Sequence, residues 1–293
     1  MKKRKKFSSN DLMMDIVIWA ILILFAFVCL YPVWYVFVAS ISNSTELAKN
    51  PGIMFWPSVV DTGAYGMVFD NPLLMNSMKN SVLILLFSLP INIVMTLLCA
   101  YFMACPGMMF KKPIVTLFMF TMFFSGGLIP GYLNIRSLNL VNNMWALILP
   151  SALSLYNAII CKTSMEAIPE SLKESAYLDG ANDIQIIFKI ILPLIKATIA
   201  VLLLYYGVTH WNNWYSAAVY IRDNEKLPVQ NILRHLLITN ESIGGAEAGD
   251  NYNDYAESIK YAAIMVSTVP VLCIYPFLQK YFAKGALIGA VKG

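Results

Sequence analysis

The sequence predicts an all-α fold, a polytopic membrane protein with about six transmembrane helices. Three observations carry that prediction. Of the 293 residues, 58% are hydrophobic and only 13% charged, with a mean hydropathy of +0.63. A soluble domain carries roughly 25% charged residues, so this chain has too few charges to cover a water-facing surface. The apolar residues are gathered into runs at 12–41, 82–104, 113–129, 144–161, 191–211 and 261–282, each near the ~20 residues an α-helix needs to cross a bilayer. Finally, the basic residues are shared unevenly between the loops that separate these runs.

In order along the chain, residues 1–11 form a basic tail containing Lys2, Lys3, Arg4, Lys5 and Lys6. Set directly before an apolar run, such a block is a cytoplasmic anchor rather than a nucleic-acid patch, and no nucleic-acid partner is expected. The run at 12–41 exceeds the roughly 7–15 residues of a signal-peptide core, and no small-x-small site closes it, so it is a retained first span. Six spans then return the carboxy terminus to the side of the amino terminus. The loops 106–112 and 162–189 face the cytoplasm, and 42–81, 131–143 and 212–260 face out. About twice as many Lys and Arg residues fall inside (Lys111, Lys112, Lys162, Lys173 and Lys189 among them) as outside, as the positive-inside rule requires. The membrane domain covers 12–283, and 284–293 is a second cytoplasmic tail.

The outer loops carry their own signals. Trp56, Tyr65 and Phe69 suit the membrane–water interface. The stretch 226–238 has apolar residues at helical spacing, which predicts a short amphipathic helix on the outer face. The segment 242–255, rich in Gly, Asp and Asn, is a loop by composition. The five cysteines, Cys29, Cys99, Cys105, Cys161 and Cys273, lie in or beside apolar runs. They are expected to be small buried apolar residues, with no disulfide framework and no metal-ligand spacing.

The loop 162–193 is the most informative. Pro169 suits the first turn of a helix, where a missing N–H costs nothing, and Glu170 follows near the positive end of the dipole. Gly180 suits a left-handed residue that ends the helix. Asn182, with Gln185 three residues on, has the spacing of a capping box that starts a second helix. The result is helix, elbow, helix along the cytoplasmic surface, with acids at Glu166, Glu170, Glu174, Asp179 and Asp183.

The combination Glu174-x-Ala176, then Gly180, then Ile190-x-Leu192-Pro193 resembles the EAA loop of bacterial ABC importer permeases. The longer form, Ile168-Pro169-x-Ser171-Leu172-x-Glu174-x-Ala176-x-Leu178-Asp179-Gly180-Ala181, is similar to the carbohydrate subfamily, MalG-like and of the LplC/YtcP-like branch. It departs at Ser175, where the family usually has Ala. The segments around Trp56-Pro57, 123–130 and 284–293 resemble the same branch.

The resemblance implies a type I ABC importer permease fold (MetI-like) in the bacterial plasma membrane, with both termini cytoplasmic. It implies a subunit that imports a sugar, oligosaccharide or glycan fragment. The EAA helix would dock on a cytoplasmic ABC ATPase dimer. Glu174 and Asp179 would make polar contacts there, Gly180 would form the elbow, and Leu172, Ala176 and Leu178 would pack in the ATPase groove. Ala181, Ile190, Leu192 and Pro193 complete the motif, and Lys284 and Lys292 in the tail are weaker contacts. A second homologous permease (MalF-like, in a heterodimer) and an extracellular or periplasmic solute-binding protein complete the partners. The sequence holds no G-x-x-x-x-G-K-[ST] phosphate loop, so the chain is not expected to be an enzyme or to bind a cofactor. ATP and Mg belong to the partner ATPase.

Three alternatives are weighed against this. An ABC permease for a non-sugar solute shares the EAA loop. An intramembrane enzyme would use Ser125 and His210, but spacing supplies neither a base nor an oxyanion site, and His210 fits an interfacial aromatic cluster. A channel would be expected to place ionisable residues inside the spans, and few are present. A sugar path needs polar and aromatic residues facing a cavity. The candidates are Asn92, Tyr101, Asn157, Tyr206, Asn212 and Trp214.

Overall fold

The computed structural model describes residues 9–49, 52–239 and 251–290. Its helices are α1 Ser9–Ser40, α2 Ser44–Lys49, α3 Gly63–Asp70, α4 Pro72–Ala104, α5 Lys111–Phe123, α6 Leu128–Ser137, α7 Trp145–Ile148 and α8 Leu155–Glu166. They continue with α9 Glu170–Leu178, α10 Asp183–Gln185, α11 Leu192–Leu194, α12 Lys196–Trp211, α13 Tyr215–Tyr220, α14 Val229–Thr239 and α15 Asn251–Ala290. Among the described residues no strand forms; Ser42 and Val60 make one isolated bridge. The basic block Lys2–Lys6 and Lys292 lie outside the described residues, as does the side chain of Lys284.

Three stretches are long and apolar enough to cross a bilayer unbroken: Met13–Ser40, Pro72–Ala104 and Tyr255–Ile274. Three bent helix pairs are long and apolar enough when each is taken together. Lys111–Phe123 meets Leu128–Ser137 at 115°, Trp145–Ser151 meets Leu155–Glu166 at 48°, and Asp183–Leu194 meets Lys196–Trp211 at 89°. Counting each pair as one span gives the six expected, but the boundaries differ from the apolar runs for physical reasons. The run at 113–129 ends as helix at Phe123, because the chain turns at Gly127, whose φ is +86°. Pro130, which with Gly131 reads in the sequence as punctuation between two spans, lies inside a helix. It sits in the first turn of α6, where it has no hydrogen bond to lose. α4 starts ten residues before its apolar run, and residues 251–255, expected as loop, already belong to α15. Polar residues there extend a helix that the membrane itself does not require.

The chain divides into two units. The first is Met1–Asn71 with Glu241–Val266. Within it the segment after α1 folds back rather than trailing as a linker. Trp34 Nε1 donates to Phe55 O at 2.9 Å, the Met54 N–H reaches the Tyr31 hydroxyl at 3.1 Å, and Trp34 lies beside Trp56. A buried serine cluster ties α15 to the start of α2: Ser258 Oγ donates to Ser42 O at 2.7 Å, and Ser44 Oγ accepts from Ser258 N at 3.0 Å. Small hydroxyl residues let helices approach closely while satisfying their own polar atoms.

The second unit, Pro72–Asn240 with Ser267–Gly293, is built around α4, which packs against α8, α12 and α14. A core cluster joins Leu97 and Tyr101 of α4, Cys161 and Met165 of α8, Ile186, Ile187 and Ile191, and Leu202 of α12. Cys99 and Cys161 are buried and Cys105 half-buried, as small apolar residues, but Cys29 and Cys273 stand exposed on helix surfaces. An apolar residue facing lipid needs no burial inside the protein, so the sequence expectation fails for these two.

Candidate functional site

The elbow forms as its local signals dictate, with one shift. Pro169 is the residue before the helix rather than in its first turn, with extended backbone at ψ 133°. At the far end Gly180 takes φ +80°, and the chain closes in a Schellman turn: Ala181 N donates to Ala176 O at 2.9 Å and Gly180 N to Tyr177 O at 3.0 Å. The capping box is reciprocal, with Gln185 N donating to Asn182 Oδ1 at 2.9 Å and Asn182 N to Gln185 Oε1 at 3.1 Å. The second arm is less regular than the sequence implies. After α10 it widens into a π turn over Ile186–Ile191, ends at Leu194, and only then breaks into α12. The straight helix α12 therefore starts at Lys196, five residues after the apolar run begins.

The two faces of the elbow have different tasks. Ala176 is buried, and Ala181, Ile190 and Leu192 pack with it against the core cluster of α4 and α8. Ala176 thus faces its own chain. Leu172, Glu174, Asp179 and Pro193 are exposed, and Leu178 stands out at 89% exposure. An apolar side chain so exposed at the closed C-terminal end of a helix is a ready contact for another protein.

What fixes the elbow to the membrane domain is a trio the sequence did not assemble. The Tyr101 hydroxyl, near the end of α4, lies 2.9 Å from that of Tyr177 on α9 and donates to Asp183 Oδ1 at 2.7 Å. Tyr177 donates to the same oxygen at 2.5 Å. The hydrogen bond to the Asp183 carboxylate pushes the Tyr177 phenol above its ordinary value, so it keeps its proton. Tyr101, expected in a sugar path, therefore belongs to the elbow. A cavity of about 260 Å³ opens beside the trio, between Glu170, Lys173, Glu174 and the 105–108 turn.

The other path candidates divide between two places. Asn157 and Tyr206 line a groove of about 590 Å³ with Tyr156, Tyr205, Thr209 and His210. Behind its wall Asn92, fully buried, donates through Nδ2 to Ser151 O at 2.6 Å and Ala152 O at 3.0 Å. Those carbonyls lie at the break between α7 and α8, where a broken span must satisfy its freed backbone groups inside the protein. Asn92 Oδ1 is 3.0 Å from His210 Nε2. Because Nδ2 is committed to the two carbonyls, Nε2 is the donor in this pair. His210 is thus a buried structural partner and not part of an interfacial cluster. Ser125 Oγ accepts from Gly127 N at 3.3 Å. The Tyr206 hydroxyl sits 2.7 Å from Thr96 Oγ1 and accepts from Ser154 N at 3.0 Å. Asn212 and Trp214 lie apart from the groove's lining, past the end of α12. Asn212 Oδ1 accepts weakly from Gln230 Nε2 at 3.5 Å, and Trp214 lies under Arg234.

A helical multi-pass chain with a latched elbow and a groove lined by tyrosines, leucines and a few polar side chains defines the transmembrane subunit of a transporter. No protein-family model matches the sequence. The chain is 39% identical over 281 residues to the polygalacturonan/rhamnogalacturonan transport system permease protein YtcP of Bacillus subtilis, covering 95% of this chain and 98% of that one. It is 38% identical to the protein LplC of the same organism, over 91% of this chain and 90% of that one. Among solved structures, a chain of a bacterial ABC transporter involved in import of the acidic polysaccharide alginate superposes with a TM-score of 0.88. It is 31% identical, covering 95% of this chain and all of that one. The chain belongs to the carbohydrate-type permeases of ABC importers, on the branch of YtcP and LplC.

Proposed function

We propose that this chain imports a saccharide released from a polysaccharide, moving it along the α8–α12 groove under the drive of a separate cytoplasmic ATPase seated on the elbow. The observation that carries the reading is the two-faced elbow. One face is sealed to α4 by Ala176 and the Tyr101–Tyr177–Asp183 trio, and the other presents Leu178, Glu174 and Asp179. A short helix closed at its C-terminal end and latched to α4 moves as a body. Force applied at Leu178 therefore reaches Tyr101 on α4. Thr96 and Asn92 stand five and nine residues along the same helix, about 7.5 and 13.5 Å at 1.5 Å per residue. They hold Tyr206 and His210 in the groove wall. Movement of the elbow can thus switch the groove between two discrete arrangements.

The saccharide assignment draws on the groove lining, with phenol rings for stacking and amide and hydroxyl groups for hydrogen bonds. It draws as well on relatives named for transport of polygalacturonan or rhamnogalacturonan and of alginate. In this reading the elbow and both termini are cytoplasmic, ATP and Mg are bound by the ATPase dimer, and a solute-binding protein delivers the sugar. A second, different permease completes the path.

The test is Leu178→Glu in the importer reconstituted with its ATPase, partner permease and binding protein. Uptake and sugar-stimulated ATP hydrolysis are expected to be lost together, with the subunit still inserted. Undiminished stimulation would overturn the docking assignment, and uptake by this subunit without any ATPase would overturn the reading as a whole.

A further inference from the structure

A second cavity lies apart from both the elbow and the groove. It has a volume of about 410 Å³, within the range of small-molecule pockets, and is bounded by Ile221, Asn224, Leu227, Asn231, Arg234 and His235. Two of these side chains are held as a binding site would hold them. Asn231 is only 3% exposed, and its Nδ2 donates to Trp214 O at 3.0 Å. Its Oδ1 is buried and has no hydrogen-bond partner among the described residues. A buried acceptor left unpaired is costly, and the cost is recovered when a ligand donates to it.

Arg234 supplies the complementary half. Its guanidinium lies 3.8 Å from the centroid of the Trp214 ring. A ring face suits a planar guanidinium, whose N–H donors lie at its edge rather than on its face. No carboxylate lies within ion-pair distance of Arg234 among the described residues. The nearby acid Asp223 is already engaged, by Lys226 at 3.4 Å and by the Glu225 N–H. A guanidinium without an acid, beside an acceptor without a donor, matches a ligand that carries both a carboxylate and a hydroxyl.

We propose that this cavity is a recognition site for an acidic saccharide, with Arg234 taking the uronate carboxylate and Asn231 Oδ1 accepting from a ring hydroxyl. The proposal rests on the saccharide-importer reading and adds the charge of the substrate and a second place that reads it. The larger groove holds no Lys or Arg, so selection for the acid would fall here, before the sugar enters the groove.

The experiment measures uptake of trigalacturonate and of its methyl ester by the complete importer, wild type against Arg234→Gln and Arg234→Lys. The binding protein is the same in every arm, so its preference cancels in the comparison. Arg234→Gln is expected to raise KM for the acid about tenfold, the factor that ~1.4 kcal/mol makes in an equilibrium constant. Uptake of the ester and the affinity for loaded binding protein should stay unchanged. Arg234→Lys keeps the charge but not the planar group and should fall between. An equal change for acid and ester, or none for either, overturns the site. A drop in binding-protein affinity with the acid-to-ester ratio preserved would instead make this face a protein-docking surface, which also overturns it. If the wild-type importer takes up neither sugar, the saccharide reading itself fails and the site falls with it.

Discussion

The Tyr177 hydroxyl reaches the Asp183 carboxylate at 2.5 Å across the turn at Gly180, closing the elbow on itself, while Tyr101 binds the same oxygen from α4. One carboxylate oxygen thus holds both arms of the elbow and the end of a span. A hydrogen bond to a charged group contributes about 1.5–3 kcal/mol when buried, and less here because Tyr177 is half exposed. Tyr177→Phe should therefore leave folding nearly intact but loosen the elbow. ATP hydrolysis by the assembled importer is expected to continue while its stimulation by loaded binding protein falls severalfold. Full stimulation in the variant would remove the latch from the coupling path. The phenol's raised value sets the pH behaviour. A group whose folded value is raised contributes fully below its unfolded value, about 10 for tyrosine, and the contribution is lost as pH rises through the folded one. Coupling in the wild type should accordingly be flat across neutral pH and weaken in strong alkali, and also in strong acid, where Asp183, held below its ordinary value by Tyr177 and Tyr101, takes up a proton.

Gly180 is required for its backbone and not for space. At φ +80° a side chain is strained, yet a Cβ built there would meet nothing within 4 Å. Gly180→Ala should cost about 1–2 kcal/mol, the left-handed penalty for a residue with a Cβ. Gly180→Asn should cost less, because Asn tolerates that region. Thermal unfolding of the purified subunit in detergent checks the order. Equal midpoints for Gly and Ala would mean that the Schellman turn reopens at no cost.

Much of the elbow was legible because its signals are local: Gly180, Asn182 and Gln185 each act on backbone within a few residues. The latch was not, since Tyr101 and Tyr177 are 76 residues apart and no spacing rule joins them. A tyrosine near a span end reads equally well as a path residue. The amphipathic helix expected over 226–238 forms as α14 and buries Ile232, Leu233 and Leu236, because the 3.6-residue period survives in any surrounding. The bends at 115° and 89° were hidden, since lipid accepts an apolar run whether it is straight or broken and hydropathy carries no direction.

Asn92 is the residue on which the broken span between α7 and α8 depends. Asn92→Ala would strand Ser151 O, Ala152 O and His210 Nε2 at once. A stranded buried group costs about 1–3 kcal/mol, although transmembrane hydrogen bonds average nearer 0.6 kcal/mol. The variant is therefore expected to lose about 1–3 kcal/mol in all. Asn92→Asp should be worse for transport, because an ionised carboxylate would point at two carbonyl oxygens unless it stayed protonated. Uptake and thermal midpoints measured on both variants decide this. An unchanged midpoint for Asn92→Ala would show that water or a shifted backbone replaces the amide.

In the first unit the test falls on Ser258, 1% exposed, where α15 meets the chain around α2. Its Oγ donates to Ser42 O at 2.7 Å and lies 2.7 Å from Ser44 Oγ. Ser258→Ala removes both contacts but keeps the backbone bond from Ser258 N to Ser44 Oγ. The expected loss is about 1 kcal/mol, the net worth of an ordinary hydrogen bond. Ser258→Leu must also force its extra volume between closely packed helices, at about 1–3 kcal/mol more. Neither change touches the elbow or the groove, so sugar-stimulated ATP hydrolysis at low temperature should match the wild type while the thermal midpoint falls in the order Ser, Ala, Leu. Loss of stimulation in Ser258→Ala before any loss of stability would show instead that this junction moves during transport.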